Sequence, residues 1–449
     1  MNDCFTQYYR CPEDCIRLAL KGPLSEASGY FRFGPDTVCY GKCSGGSPSG
    51  SPEGILHDGL QGTSIDGDTL HLPFDLKQVV ENLRYELYLG EHTSGSVLKA
   101  LTKAYYLIRP LLPVGVRKHI QKWRLRGWDQ LPFPHWPVDR TVDQIFEQVM
   151  LLSLRSQPVD RIPFIWFWPD GASSCAIMTH DVETAIGRDS CAQLMDMDDA
   201  FAIKAAFEIV PEQRYEVTPD YLECIRRRGF EIVVHDLNHD GRLFSKRDQF
   251  LERASSINGY KEQFGALGFR AAVLYRKQSW FNALNFDYDM SVPNVAHLDP
   301  QRGGCCTVMP YFVGKILELP VTTTQDYTLF HILNDYSIKL WKKQMDLIME
   351  KHGLMSFIVH PDYIGGHRER EVYEALLKHL AHLREERAVW ITTPGEVNRW
   401  WRQRAEMKLV EDRHGWRIEG AGNERARIAY ASENDGRIAY TVETPACVS

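Results

Sequence analysis

The chain has 449 residues, 44% apolar and 25% charged, with a formal charge of −7. A single core rarely grows past ~250–300 residues, so one large domain with smaller additions is expected. The acidic balance excludes the basic excess of a nucleic-acid binder and leaves a small-molecule or sugar substrate open.

Eleven cysteines are too sparse, and odd in number, for a disulfide scaffold. Cys39 and Cys43 are spaced like half a metal site, but no second close pair completes it, so scattered free thiols are the reading. The first 15 residues carry acidic groups and no apolar run, so no secretory signal is read there. No stretch approaches the ~18 apolar residues of a membrane span. A cytoplasmic location is the expectation.

Residues 1–164 read as an accessory region with helices. Residues 44–54 (SGGSPSGSPEG) have the composition of a flexible loop. Leu76, Val79, Val80, Leu83 and Leu87 recur at helical spacing and predict an amphipathic helix. Residues 101–127 mix apolar residues with Arg109, Arg117, Lys118, Lys122, Arg124 and Arg126. Their pattern fits a helix lying peripherally on the inner membrane face. Pro110 and Pro113 break it, which favours a helical hairpin packed on the main domain.

From about residue 165 short apolar runs alternate with helical patterns, the mark of β/α units. Strands are predicted at 175–182, 204–210, 231–235, 268–272, 288–291, 316–321, 355–360 and 388–392, with helices at 247–264, 338–351 and 369–383. Such units either close a barrel or form an open sheet, and both bind ligands at the carboxyl ends of the strands. The unit spans 165–403, and 404–449 reads as a small β-rich extension.

The acids and histidines fall at those strand ends. Asp181 and Glu183 share a face of the first strand because side chains alternate. Two adjacent carboxylates are costly unless a cation or proton sits between them. His235 and His239, four residues apart, can converge on one ion and leave a position open for water. A late strand delivers His360, a candidate proton donor. Arg270 can orient a carboxylate base, and Asp289 can fix a histidine tautomer. Singly, each has a plainer structural reading as a cap, an ion pair or a core histidine. Their joint placement at strand ends favours a site.

These blocks resemble the NodB-homology, or polysaccharide deacetylase, superfamily over roughly 165–400. THDVE (179–183), HDLNH (235–239), GFRAA (268–272), FDYDMS (286–291) and FIVH (357–360) stand in the family's order. Longer tracts, including HLDPQRGGCCTVMPYF and ELPVTTTQDYTLF, resemble a bacterial deacetylase-like subgroup. The resemblance implies a distorted (β/α) barrel of NodB type and a metal-dependent hydrolase releasing acetyl groups from N- or O-acetylated sugars or glycoconjugates. It implies Asp181 as base, His360 as acid, Arg270 orienting Asp181 and Asp289 orienting His360. Glu183, His235 and His239 would hold a divalent ion, zinc foremost, then cobalt or nickel. Val182 replaces the family's second acid, so Asp181 and Glu183 could exchange roles, and Asp236 and Ala272 are further departures. Hydrolysis of a non-sugar C–N bond, or a vestigial site in a sugar-binding protein, are the alternatives. The tracts 294–312 and 318–330 are expected to shape the pocket, with Asp326 and Tyr327 touching sugar hydroxyls.

Overall fold

A computed structural model describes residues 2–90 and 125–443. The predicted membrane-facing or hairpin segment therefore lies almost wholly outside the described residues. Among those described, no helix is long and apolar enough to cross a membrane.

The N-terminal region is built from helices and short strands. It contains α1 (Asn2–Tyr9), β1 (Arg17–Leu20), β2 (Gly29–Arg32), β3 (Val38–Gly41), β4 (Ser64–Asp66), β5 (Thr69–Leu72), α2 (Leu76–Arg84) and α3 (Thr141–Ser156). Asp75 caps α2 by accepting from Gln78 N–H, and Leu76, Val79, Val80 and Leu83 form its buried stripe. The strands form two small sheets, β1-β5-β4 and β2-β3. The loop expected to be flexible is pinned at Ser49, which pairs with Tyr30 across an antiparallel bridge. Cys39 and Cys43 are buried free thiols.

After β6 (Arg161–Ile165) comes the main sheet: β7 (Cys175–Val182), β8 (Ala205–Ile209), β9 (Glu231–His235), β10 (Gly268–Arg270), β11 (Tyr288–Asp289), β12 (Tyr311–Val313), β13 (Ile316–Glu318), β14 (Leu354–Ile358) and β15 (Trp390–Thr392). Its order is β12-β13-β11-β10-β9-β8-β7-β14, parallel except for β12, with β15 beside the start of β7. It curls into a distorted, incomplete barrel. No ladder joins β13 to β14 among the described residues. Side chains bridge the seam instead: Thr322 Oγ1 donates to Leu354 O and accepts from Ser356 N, and Thr323 Oγ1 donates to Ser356 O.

Helices α4 (Ala185–Ala200), α5 (Pro219–Arg227), α6 (Arg247–Phe264), α7 (Lys339–Met349) and α8 (His367–Arg387) cover the outside, and α9 (Pro394–Glu406) follows β15. All of β7 is buried. Ile177 packs with Ala206, Val233 and Leu317 in one core, while Ala176, Met178 and Val182 pack in another. That two-residue alternation is what turns Thr179 and Asp181 to the same face as Ile177.

The C-terminal extension is not detached. Its hairpin β16 (Lys408–Asp412) and β17 (Gly415–Glu419) precedes β18 (Ile428–Asn434) and β19 (Arg437–Val442). β18 pairs with β6 and β19, and Tyr440 and Tyr9 share a hydroxyl hydrogen bond at 2.7 Å. Buried Arg404 donates to the carbonyls of Tyr8, Tyr9, Ile165 and Trp166, joining both ends of the chain.

Candidate active site

The carboxyl ends of β7, β9, β10 and β14 converge on one cleft. Asp181 ends the inward face of β7, and Arg270, at the end of β10, reaches across to it with Nη1 to Oδ1 at 2.5 Å. The same guanidinium donates to Thr179 Oγ1 at 2.8 Å and Met290 O at 3.1 Å. Burial pushes the Asp181 carboxyl up, but Arg270, His235 and His360 outweigh it and hold the group below the usual range.

Glu183 follows, its side chain 24% exposed and so reachable from the cleft. The acids do not cap the next helix; Thr184 does, accepting from Gly187 N–H. Glu183 Oε1 lies 2.8 Å from His239 Nε2, 3.9 Å from His235 Nε2 and 3.5 Å from His360 Nε2. Burial raises its pKa, yet the three histidines hold it well below the usual range.

His235 ends β9 and its Nδ1 lies 3.1 Å from Arg270 O. A proton on Nδ1, donated to that carbonyl, leaves Nε2 as a lone pair facing the cleft. His239 stands on the following loop, where Asp236 and His239 both adopt left-handed backbone, with φ of 56° and 55°. Such conformations are costly away from glycine and concentrate at functional sites. Arg214 fixes the loop by donating to Asn238 O at 3.1 Å and to His239 O.

The Nε2 atoms of His235 and His239 are buried and make no hydrogen bond with any described residue. Nε2 of His239 approaches Glu183 closely but out of hydrogen-bond alignment. Two imidazole nitrogens and a carboxylate oxygen within 4.8 Å of one another are a donor set that fits a divalent ion.

His360 follows β14. Asp326, beyond β13, accepts from its ring Nδ1 at 2.6 Å and from its backbone N–H at 2.7 Å. Burial lowers the His360 pKa, and Asp326 and Glu183 overcome it and raise it well above the usual value. This corrects the expectation for Asp289. That carboxylate is turned away, accepting from Ser291 N–H and Oγ at 2.8 and 3.0 Å. It sits level with Glu318 on the neighbouring strand. Burial foremost pushes Asp289 up to about 6 and Glu318 well above the carboxylate range. Asp326, expected against substrate hydroxyls, has both carboxylate oxygens committed to His360.

Sequence reasoning named Tyr327 but missed Tyr363 and His331 beside it. Tyr363 stands 5.0 Å from the His360 ring, with Tyr327 and His331 at 5.5 and 5.1 Å from Tyr363. Its only sequence signal was proximity to the His360 block.

No model of a known protein family matches the chain, and no curated protein does. Solved structures similar to it include a candidate polysaccharide deacetylase from Mycobacterium smegmatis, 19% identical over 53% of this chain and 93% of that one, with a TM-score of 0.44. The Puue allantoinase is 15% identical over 56% of this chain and 96% of its own, with a TM-score of 0.42. A family 4 acetyl xylan esterase from Clostridium thermocellum, solved with a cobalt ion, is 16% identical over 51% and 91%, with a TM-score of 0.31.

Proposed function

We propose that this protein is a metal-dependent hydrolase that removes an acetyl group from an N-acetylated or O-acetylated sugar. The observation behind this reading is the convergence of the buried Nε2 atoms of His235 and His239 on Glu183, a donor set for one divalent ion. The pair is flanked by an arginine-held carboxylate and an aspartate-held histidine. Glu183, His235 and His239 would hold the ion, zinc foremost, then cobalt or nickel. Bound there, it would polarise the substrate carbonyl and lower the pKa of water toward ~7.

The chain's own groups supply the proton transfers. Arg270 occupies Oδ1 of Asp181, which leaves Oδ2 to take a proton from the attacking water. Asp326 occupies Nδ1 of His360, so Nε2 faces the cleft and delivers a proton to the departing amine or alcohol. Acetate leaves as the acid. A base held ionised and an acid held protonated at the same pH are what such a reaction needs.

Elemental analysis of the wild type beside a His235→Ala/His239→Ala variant tests the reading, together with acetate release from N-acetylated sugars. About one equivalent of divalent metal in the wild type, lost in the variant without loss of fold, is expected. A wild type that takes up no zinc, cobalt or nickel would overturn the mechanism and leave a sugar-binding protein with a vestigial site.

A further inference from the structure

The peptide unit that carries the acid His360 is held at both ends. Asp326 accepts from its N–H at 2.7 Å. Its carbonyl, Val359 O, lies 3.0 Å from Nδ1 of His180, the residue just before Asp181. A carbonyl can only accept, so Nδ1 carries the proton. The ladder between β7 and β14 runs as far as Ile358 beside Thr179, and Val359 N–H donates to Thr179 O at 3.0 Å. At the next step the His180 ring supplies the hydrogen bond to buried Val359. Side chains alternate along β7, so His180 points away from the cleft that Asp181 faces.

The ring is fixed from behind as well. Asp198 on α4 accepts from His180 Nε2 through Oδ2 at 3.0 Å and from the Tyr373 hydroxyl of α8 through Oδ1. His180, Asp198 and Tyr373 are all fully buried. Both partners of the ring are acceptors, so it donates from both nitrogens, as an imidazolium does. Burial disfavours that charge, and the Asp198 carboxylate outweighs it and raises the His180 pKa. A buried ion pair adds little stability over apolar residues of the same volume. What this pair does add is direction: it aims one N–H at the peptide bond that leads into the acid, from the strand that carries the base.

We propose that His180 is a positioning residue for the general acid. It holds the carbonyl of the Val359–His360 peptide, so that β7 sets the place of the acid as well as that of the base. It touches no reacting atom. Its effect on rate rests on the hydrolase reading above; its hold on His360 does not.

Two amide substitutions in the full-length protein separate the contacts of the ring. His180→Asn keeps a donor near the Nδ1 position and gives up Asp198; His180→Gln keeps one near Nε2 and gives up Val359. In His180→Gln, kcat for acetate release should fall ~10–100-fold with KM within about threefold, as misplacement of a reacting group does. In His180→Asn the loss should be no more than about fivefold. A residue that only packs β7 against α4 and α8 would give the reverse order. A second readout needs no activity: in the metal-free protein, the imidazole Cε1–Hε1 resonance of His360 should move in His180→Gln and stay near its wild-type place in His180→Asn and Tyr373→Phe. A third needs no variant: nitrogen NMR of the wild type should find a proton on His180 Nδ1. An unprotonated Nδ1, an unmoved His360 resonance in folded His180→Gln, or a larger kcat loss in His180→Asn than in His180→Gln would overturn the proposal. A His360 resonance that moves in His180→Gln alone, in a protein that releases no acetate, would uphold the hold on His360 while the hydrolase reading fails.

Discussion

A histidine delivers a proton from Nε2 in one direction only while Nδ1 is fixed, and Asp326 fixes His360 at both the ring and the backbone. Asp326→Asn is therefore expected to lower kcat ~10²–10³-fold, within the usual range for general acid–base catalysis, with KM changed only a few-fold. Burial pulls the His360 pKa down and Asp326 is the largest influence raising it, so the variant's acid loses its proton at lower pH. The alkaline limb of the pH–rate profile should move downward. Asp289→Asn should leave kcat within about threefold; a larger loss there than in Asp326→Asn would reverse the assignment. The sequence offered Asp289 because it lies on a strand at the right place in the chain. What it hid is that β11 pairs with β13, which brings Glu318 alongside Asp289, whereas Asp326 reaches His360 across the seam to β14. Local patterns report which face a side chain takes, not which strand lies next to it. The cluster proposed to hold a metal was legible for the opposite reason: Asp181 and Glu183 share one strand end, and His235 and His239 one turn.

Parallel pairing sets like charges side by side at the scale of strands. Asp181 on β7 is in register with Glu208 on β8, and both are buried. They cannot both ionise cheaply, and Arg270 bonds Asp181 at 2.5 Å while lying 3.6 Å from Glu208. Burial foremost, with the Asp181 charge, raises Glu208 to about 7 against the pull of Arg270. An unfolded glutamate titrates near 4.5. Between these two values the folded chain holds one proton more than the unfolded chain, so this group's contribution falls as pH rises and levels off above about 7. The effect is on the order of 3 kcal/mol, at about 1.4 kcal/mol per pH unit. Glu208→Gln should abolish that slope. Urea unfolding of both metal-free proteins at several pH values measures it, and parallel curves for the two would contradict the account. The strands carrying this row were readable because β/α units alternate apolar runs with helical spacing. Their ends were less so: β10 stops at Arg270, and just beyond it Val273 and Leu274 turn left-handed, with φ of 61° and 52°. Apolar side chains in such conformations give no signal in a hydrophobicity pattern, and the short N-terminal strands were hidden by their brevity.

The regions flanking the barrel read as additions, yet they are joined to it by buried polar contacts. Arg404 gathers carbonyls from α1 and from the segment after β6, and β18 completes a sheet with β6. On the other side Glu86, itself left-handed at φ 59°, pairs with Arg276 through both carboxylate oxygens and accepts from Gly304 N–H at 2.7 Å. Arg276 in turn donates to Leu274 O at 3.0 Å, so the N-terminal region holds the loop that follows β10. Glu86→Ala would strand a buried guanidinium, and losing one partner of a buried pair typically costs ~3–5 kcal/mol. The double variant Glu86→Ala/Arg276→Met removes the stranded charge and should recover much of that loss, because replacing both partners with apolar groups is often close to neutral. The single variant should leave the catalytic groups in place, with any loss of kcat no more than a few-fold, since Asp181 and His360 keep their own supports. Urea unfolding and steady-state kinetics on the same preparations separate these effects. A single variant as stable as wild type, or a double variant no better than the single, would mean that the pair does not tie the N-terminal region to the barrel loops.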